Sequence, residues 1–286
     1  MLLSIEHISK QYGNNQALSD VSLQIKPGMF GLLGPNGAGK STLMRILATL
    51  IDCSEGTVSY NEIRWSNKRE VQRLIGYLPQ HFSLFKNVKV MELLQHIAIL
   101  KQVEDYKRKI IEISEHVNLT EQLHKKVGAL SGGMLRRLGI AQALLGNPRI
   151  LIVDEPTAGL DPEERIRFRR LLRGLSKDNI VIISTHIVED VVAVCDEVAV
   201  LHKGKLLVTG EINNVAAIAQ GKVWKKELDK ETYYRESEHI EVISTESEGG
   251  KFIIKFLSDK PVEGAYQVNA GLEEGYLYLM GKQTNS

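Results

Sequence analysis

The chain is poor in the features that mark several large classes of protein. Cysteine occurs only twice in 286 residues, at Cys53 and Cys195. Neither stands in a C-x-x-C pair or beside histidine at metal spacing, so both read as buried or indifferent thiols of a reducing compartment. No apolar run reaches the roughly eighteen residues that a spanning helix needs. A role at a membrane would therefore require recruitment by a partner. Met1–Lys10 is too short and too polar for a secretory leader, and none is expected. Net charge is only +1, so electrostatics give no reason to expect a nucleic-acid partner. There is no internal repeat and no low-complexity tract. What remains is 43% hydrophobic, enough for a sizeable core in one large domain or two ordinary ones.

Against that background one stretch stands out, residues 29–42, MFGLLGPNGAGKST. Gly34, Gly39, Lys40 and Ser41 fit the pattern G-x-x-x-x-G-K-[ST]. A phosphate cradle needs backbone N–H groups aimed inward, and glycine permits those turns without a Cβ clash. Lys40 would reach the β- and γ-phosphates, and Ser41 would place its hydroxyl on Mg²⁺. The apolar run Met29–Leu33 reads as a buried strand. From Thr42 onward Leu43, Ile46, Leu47 and Leu50 read as a helix whose N-terminal dipole faces the phosphates.

The rest of the chain can be taken in order. Residues 2–8 and 17–25 read as strands around a polar turn, Tyr12–Gln16, in which Tyr12 either stacks on an adenine or packs the turn. Thr57–Tyr60 with Ile63, and Leu74–Leu78, read as further strands. Gln80 follows, either a reach toward a metal or water or a plain strand terminus. Residues 82–145 change to helical spacing (Val90–Leu100, Lys107–Val117), with His81, Phe82 and Phe85 at the entrance as packing or as a partner surface. Leu130-Ser131-Gly132-Gly133 precedes another helix, and Ser131 could cap it or help hold an anion.

Arg149–Asp154 reads as a buried strand ending in acid, with Glu155 next. One carboxylate could hold Mg²⁺ and the other could activate water. Asp161-Pro162 starts a helix whose Arg165, Arg169 and Arg173 form a basic stripe, read as a solvated face or a contact surface. Ile180–Ser184 is a strand ending near His186, which either meets a γ-phosphate or is structural. Val198–Leu201 and Lys205–Val208 form a hairpin. Residues 211–238 look helical with Trp224 as an anchor. From His239, period two at Ile240 and Val242, Phe252 to Phe256, Tyr266 and Val268, then Tyr276 and Tyr278 suggests a small β-rich domain.

A phosphate loop, Gln80, LSGG, RILIVDE and His186 in this order resemble the nucleotide-binding subunit of an ATP-binding cassette (ABC) transporter. The resemblance covers about residues 2–220. It implies an α/β fold: a RecA-like P-loop NTPase core, an antiparallel β subdomain and a helical subdomain near 82–147; outside the resemblance, the alternating pattern adds a small α+β domain over 221–286. It matches Tyr12 to the A-loop aromatic and the run Gly34, Pro35, Asn36, Gly37, Ala38, Gly39, Lys40, Ser41 and Thr42 to Walker A. Gln80 matches the Q-loop, Ser131, Gly132 and Gly133 the signature, Asp154 the Walker B acid and Glu155 its catalytic glutamate. Asp161 matches the D-loop and His186 the switch histidine.

The resemblance further implies ATP and Mg²⁺, the metal held by Ser41, Gln80 and Asp154, and a head-to-tail pair with a second copy. It implies a separate membrane permease and a place on the cytoplasmic face of the membrane. Met134 departs from the glutamine of many members. LSGGM with Arg136-Arg137, and the tail LEEGYLYLM, are similar to type-two exporters of drugs, antibiotics, lantibiotics or polysaccharides. A soluble ABC protein of ribosomes or DNA, or a small-molecule P-loop kinase, would be the other classes. The stretch between Lys40 and Ser131 has no sustained heptads, and a kinase has no use for LSGG.

Overall fold

The computed structural model describes residues 1–236 and 242–284. Along the chain run β1 (Leu3–Tyr12), β2 (Asn15–Ile25), β3 (Gly28–Leu33), α1 (Lys40–Leu47), β4 (Glu55–Tyr60), β5 (Ile63–Arg64), α2 (Lys68–Leu74) and β6 (Ile75–Leu78). Then come α3 (Val90–Leu100), α4 (Tyr106–His116), α5 (Gly132–Leu144), β7 (Ile150–Asp154), α6 (Pro162–Leu175), β8 (Ile180–Thr185), α7 (Val188–Val194), β9 (Glu197–His202) and β10 (Lys205–Glu211). The remainder is α8 (Ile212–Ala216), β11 (Val223–Leu228), α9 (Lys230–Glu236), β12 (Val242–Glu248), β13 (Lys251–Leu257), β14 (Ala265–Gln267) and α10 (Leu272–Thr284). Two compact units divide between Thr209 and Gly210.

In the first unit, β1 pairs antiparallel with β2 on one side and β4 on the other, giving the sheet order β2-β1-β4-β5. The second sheet has the order β10-β9-β3-β8-β7-β6. Strands β6 to β9 and β3 are parallel neighbours there. Strands β3, β7 and β8 are nearly continuous apolar runs, GMFGLL, ILIVD and IVIIST, as strands covered on both faces must be. One core joins the two sheets. Leu3, Ile5 and Leu23 of the antiparallel sheet pack with Leu43 and Leu47 of α1 and Phe30 of β3. Burying each such side chain contributes about 1.5–3 kcal/mol. Helices α3, α4 and α5 pack on one another, and α5 lies on β6.

Capping is explicit where the sequence suggested it. Ser131 accepts the Met134 N–H at 3.3 Å, and Asp161 accepts the Glu164 N–H at 2.9 Å. The arginine stripe of α6 is solvated only in part, for Arg173 is exposed but Arg169 is packed. Arg169 forks onto the buried Asp190 of α7, and Arg173 donates to the Val194 carbonyl (2.8 Å) and pairs with Asp196 (2.7 Å). Tyr12 ends β1 rather than standing in the turn, because it pairs with Asn15 across Gly13-Asn14.

The second unit is a four-stranded sheet, order β12-β13-β11-β14, around Trp224, Leu228, Ile254 and Phe256. Two expectations fail here. The helical reading of 211–238 breaks at β11, whose residues Val223–Leu228 pair along their whole length with β13. The period-two reading of Tyr276 and Tyr278 fails because both lie on helix α10. Gly275 lets α10 seat closely on α8, since a Cβ there would collide with the Val215 carbonyl. His239 and Ile240 lie outside the described residues.

Candidate active site

The parallel register sets the site. Leu33 at the end of β3 is level with Thr185, and Asp154 at the end of β7 is level with Ser184. Three strand ends thus deliver the phosphate-type loop, the acidic pair and the segment leading to His186 to one edge, the carboxyl edge where α/β sheets hold ligands.

The loop after β3 depends on glycine at two points. A Cβ on Gly34 would strike the Leu201 carbonyl. Gly39 sits at φ +103°, and a Cβ there would lie 2.7 Å from the Ala17 carbonyl. The loop folds over Lys40, whose Nζ donates to the carbonyls of Gly34 (2.6 Å) and Pro35 (3.1 Å). Lys40 is buried, and burial lowers its pKa while Glu155 and Asp154 oppose that shift. The free N–H groups that open α1 face the same place.

An open cleft of about 440 Å³ lies over this loop. It gathers Tyr12, Asn36 through Thr42, Gln80 and Glu155. Three β2 residues (Asn15, Gln16 and Ala17) and Lys203 of the β9–β10 turn join them, and hairpin residues of this kind carry no motif to flag them. Asp154 and His186 do not line the cleft; Asp154 is buried and accepts from the Ser184 hydroxyl, and its Oδ1 lies 3.5 Å from the Oγ of Ser41, which does line it. Glu155 is 6% exposed and takes the left-handed region at φ 49°, unusual for a non-glycine residue. The Glu155 N–H donates to the Ser184 carbonyl at 3.0 Å, and its Oε1 lies 3.0 Å from His186 Nδ1. The strained backbone aims a nearly desolvated carboxylate at a half-exposed imidazole, an arrangement able to take a proton from water and hold it.

The available donors are oxygens: the Asp154 carboxylate, the Ser41 hydroxyl and the Gln80 amide, a set that suits a hard cation such as Mg²⁺. Among the described residues no cluster of three or more histidine, cysteine or acidic side chains could hold a metal alone. A cation here would complete its shell from phosphate and water. The structure does not bring Ser131, Gly132, Gly133 or Asp161 to the cleft lining; Ser131, Gly132 and Asp161 are exposed.

Comparison with known proteins agrees with this architecture. The ABC transporter family model matches residues 18–158. The uncharacterized ABC transporter ATP-binding protein YxlF of Bacillus subtilis (strain 168) is 38% identical over 226 residues, covering 78% of this chain and 75% of that protein. The bacitracin transport ATP-binding protein BcrA of Bacillus licheniformis is 38% identical over 210 residues, 72% of this chain and 68% of its own. The methionine import ATP-binding protein MetN of Clostridioides difficile (strain 630) is 34% identical over 227 residues, 75% and 70%. The dimeric structure of MJ0796, a bacterial ABC transporter cassette, superposes with a TM-score of 0.65 at 26% identity, over 73% of this chain and 98% of that one. A second structure of that cassette is a post-hydrolysis dimer bound to ADP and Pi.

The chain belongs to the ABC transporter ATP-binding proteins. It is an α/β P-loop NTPase, with an antiparallel β subdomain and a helical layer, and an ATPase subunit that powers transport. Among the described residues no helix is long and apolar enough to cross a membrane.

Proposed function

We propose that the cleft takes ATP with Mg²⁺ and that two copies close head to tail around two such nucleotides, driving export through a separate permease at the cytoplasmic face of the membrane. The observation that carries this reading is the split site. The loop, the acids and His186 converge on one edge, while Ser131–Gly133, a capped helix start suited to an anion, stays off that cleft and exposes Ser131 and Gly132. A second copy can supply the missing half.

The residues then divide the work among them. Tyr12 stacks on the adenine, and Lys40 leaves its loop carbonyls for the β- and γ-phosphates. Gly34 and Asn36 through Thr42 present their N–H groups, and Pro35, which has none, shapes the loop. Ser41, Asp154 and Gln80 hold the cation, which supplies charge neutralisation at the transferred phosphoryl. Glu155 orients and deprotonates the attacking water, His186 fixes the Glu155 carboxylate and meets the γ-phosphate, and Asp161 faces the partner. Beside β6, a groove of about 450 Å³ lined by Leu50, Phe82, Leu84, Ile97, Lys101 and Gln142 would seat a short cytoplasmic helix of the permease. Exposed Leu50 (60%) and Phe85 (75%) enlarge that apolar surface. Export rests on the likeness of the LSGGM-Leu-Arg-Arg signature and of the tail LEEGYLYLM to those of type-two exporters.

The test uses the purified full chain. Glu155→Gln is expected to bind ATP, lose turnover and elute as an ATP-dependent dimer; adding Ser131→Arg should return it to a monomer that still binds ATP. Wild-type hydrolysis by Glu155→Gln, or loss of monomer binding in the double variant, would overturn these roles. A mild-detergent pull-down from native membranes should bring a protein with several hydrophobic spans. Export is checked by cargo resistance of cells carrying both subunits.

A further inference from the structure

The helix that opens at Ser131 also carries a buried cation. Arg136 lies five residues after that cap and is 9% exposed. A guanidinium keeps its charge in any folded protein. Burial lowers its pKa, and the carboxylates of Glu155 and Asp154 oppose the shift, so the three groups share one electrostatic neighbourhood. Its Nη2 donates to the Ala158 carbonyl at 3.0 Å. Its Nη1 is buried without a hydrogen-bond partner among the described residues. A charged donor is costly to leave unpaired inside a protein.

Ala158 sits in the turn between Glu155 and Asp161. That turn is closed by the Ala158 N–H on the Glu155 carbonyl (3.3 Å) and the Leu160 N–H on the Thr157 carbonyl (3.2 Å). The next residue, Arg137, pairs with Glu164 of α6 at 2.9 Å, and α6 is capped by Asp161. Helix α5 is therefore fastened to the middle of the turn that follows Glu155 and to the helix that follows that turn.

We propose that Arg136 is a positioning residue that couples the two nucleotide sites of the assembled pair. Seating of the α5 N-terminus on one ATP is passed through the Arg136 fork to the turn that aims Glu155 at the other ATP. The unpaired Nη1 leaves the fork a donor free to bond a second carbonyl when α5 shifts, as a two-position linkage requires. This inference rests on the head-to-tail reading above.

The experiment compares wild type, Arg136→Met and Arg136→Lys as full chains, reading kcat, KM for ATP and the Hill coefficient of hydrolysis. Arg136→Met is expected to lower kcat about tenfold with KM within about twofold, and to bring the Hill coefficient to about 1. Arg136→Lys, with the charge kept and the fork lost, should fall between wild type and Arg136→Met in both. If Arg136→Met does not fold, the lysine variant decides alone. A wild-type Hill coefficient in any folded variant, with or without a lowered melting point, overturns the proposal. Light scattering of Glu155→Gln with ATP separates the two ideas. A dimer with cooperativity indifferent to Arg136 removes only the coupling role; no dimer removes the head-to-tail reading and the coupling with it.

Discussion

Replacing Asp190 by alanine is expected to destabilise the nucleotide-binding unit by about 4 kcal/mol. Asp190 is 1% exposed and ties α7 to two other segments. One oxygen accepts from Arg169 of α6, at 2.9 Å from Nε and closer still from Nη2; the other accepts from the Thr157 hydroxyl in the turn after Glu155. Removing one partner of a buried ion pair costs about 3–5 kcal/mol. Arg169 keeps 18% of its side chain in water, which draws its share toward about 3 kcal/mol. Thr157, 2% exposed, is left with an unpaired hydroxyl worth about 1 kcal/mol more. Asparagine loses the charge but keeps one acceptor for Arg169, and its NH2 can donate to the Thr157 oxygen, so about 1–2 kcal/mol is expected.

The chain carries its own reporters for this assay. It has two tryptophans. Trp65 belongs to the first unit, its indole N–H on the Leu47 carbonyl at 3.0 Å, and Trp224 belongs to the second. Urea unfolding in a Trp224→Phe background reads the first unit alone. With a slope of about 3–4 kcal/mol per molar, Asp190→Ala should lower the midpoint by about 1 M. Fluorescence of Trp224 in a Trp65→Phe background should stay unmoved. Adding Arg169→Met should recover about 2 kcal/mol, because no buried charge is then left alone. A midpoint shift below about 0.2 M, or no recovery by Arg169→Met, would refute the reasoning.

Two further outcomes follow from local geometry. Gly39→Ala should weaken ATP binding by more than about tenfold, since its Cβ meets the Ala17 carbonyl at 2.7 Å and Leu18 Cδ2 at 2.8 Å; Gly37→Ala, at φ +80° but in open space, should cost only the backbone strain of about 1 kcal/mol, as titration calorimetry would show. Glu274 of α10 is buried. Burial pushes its carboxyl up, but Lys255 at 2.6 Å and the Gly271 N–H at 2.7 Å more than offset this and hold it below the ordinary range. With the folded value depressed, its stabilisation is present above the unfolded value of about 4.3 and lost as pH falls through the folded one. The urea midpoint read by Trp224 should therefore drop below about pH 4, and Glu274→Gln should lower it at neutral pH and flatten that acid limb.

The glycine loop is legible in the sequence because its parts are contiguous: strand, loop and helix fall within residues 28–47. The acidic strand end is legible for the same reason, since Asp154 and Glu155 close a run of purely apolar residues. What is not legible is whatever depends on distant segments meeting. Thr157, Arg169 and Asp190 form one buried network, yet on α6 alone Arg169 belongs to a basic stripe at helical spacing. The strand β11 reads VWKKEL, with two lysines and a glutamate at its centre, and only pairing with β13 on one side and β14 on the other makes it an inner strand. In α10, Tyr276 and Tyr278 imitate an alternating strand; the close seat of Gly275 on Val215 is a tertiary fact that no window of sequence contains. The short α2 hides likewise, because KREVQRL buries only Val71.

The strand order has a consequence for how the protein is made. The loop around Lys40 leaves the ribosome early, but the strands that flank β3, β8 and β9, arrive only with residues 180–202. Until then Gly34 has no Leu201 carbonyl to press against, and Glu155 has no Ser184 to anchor it. A nascent chain can therefore display the whole Gly34–Thr42 loop sequence and still lack the neighbours that shape its pocket.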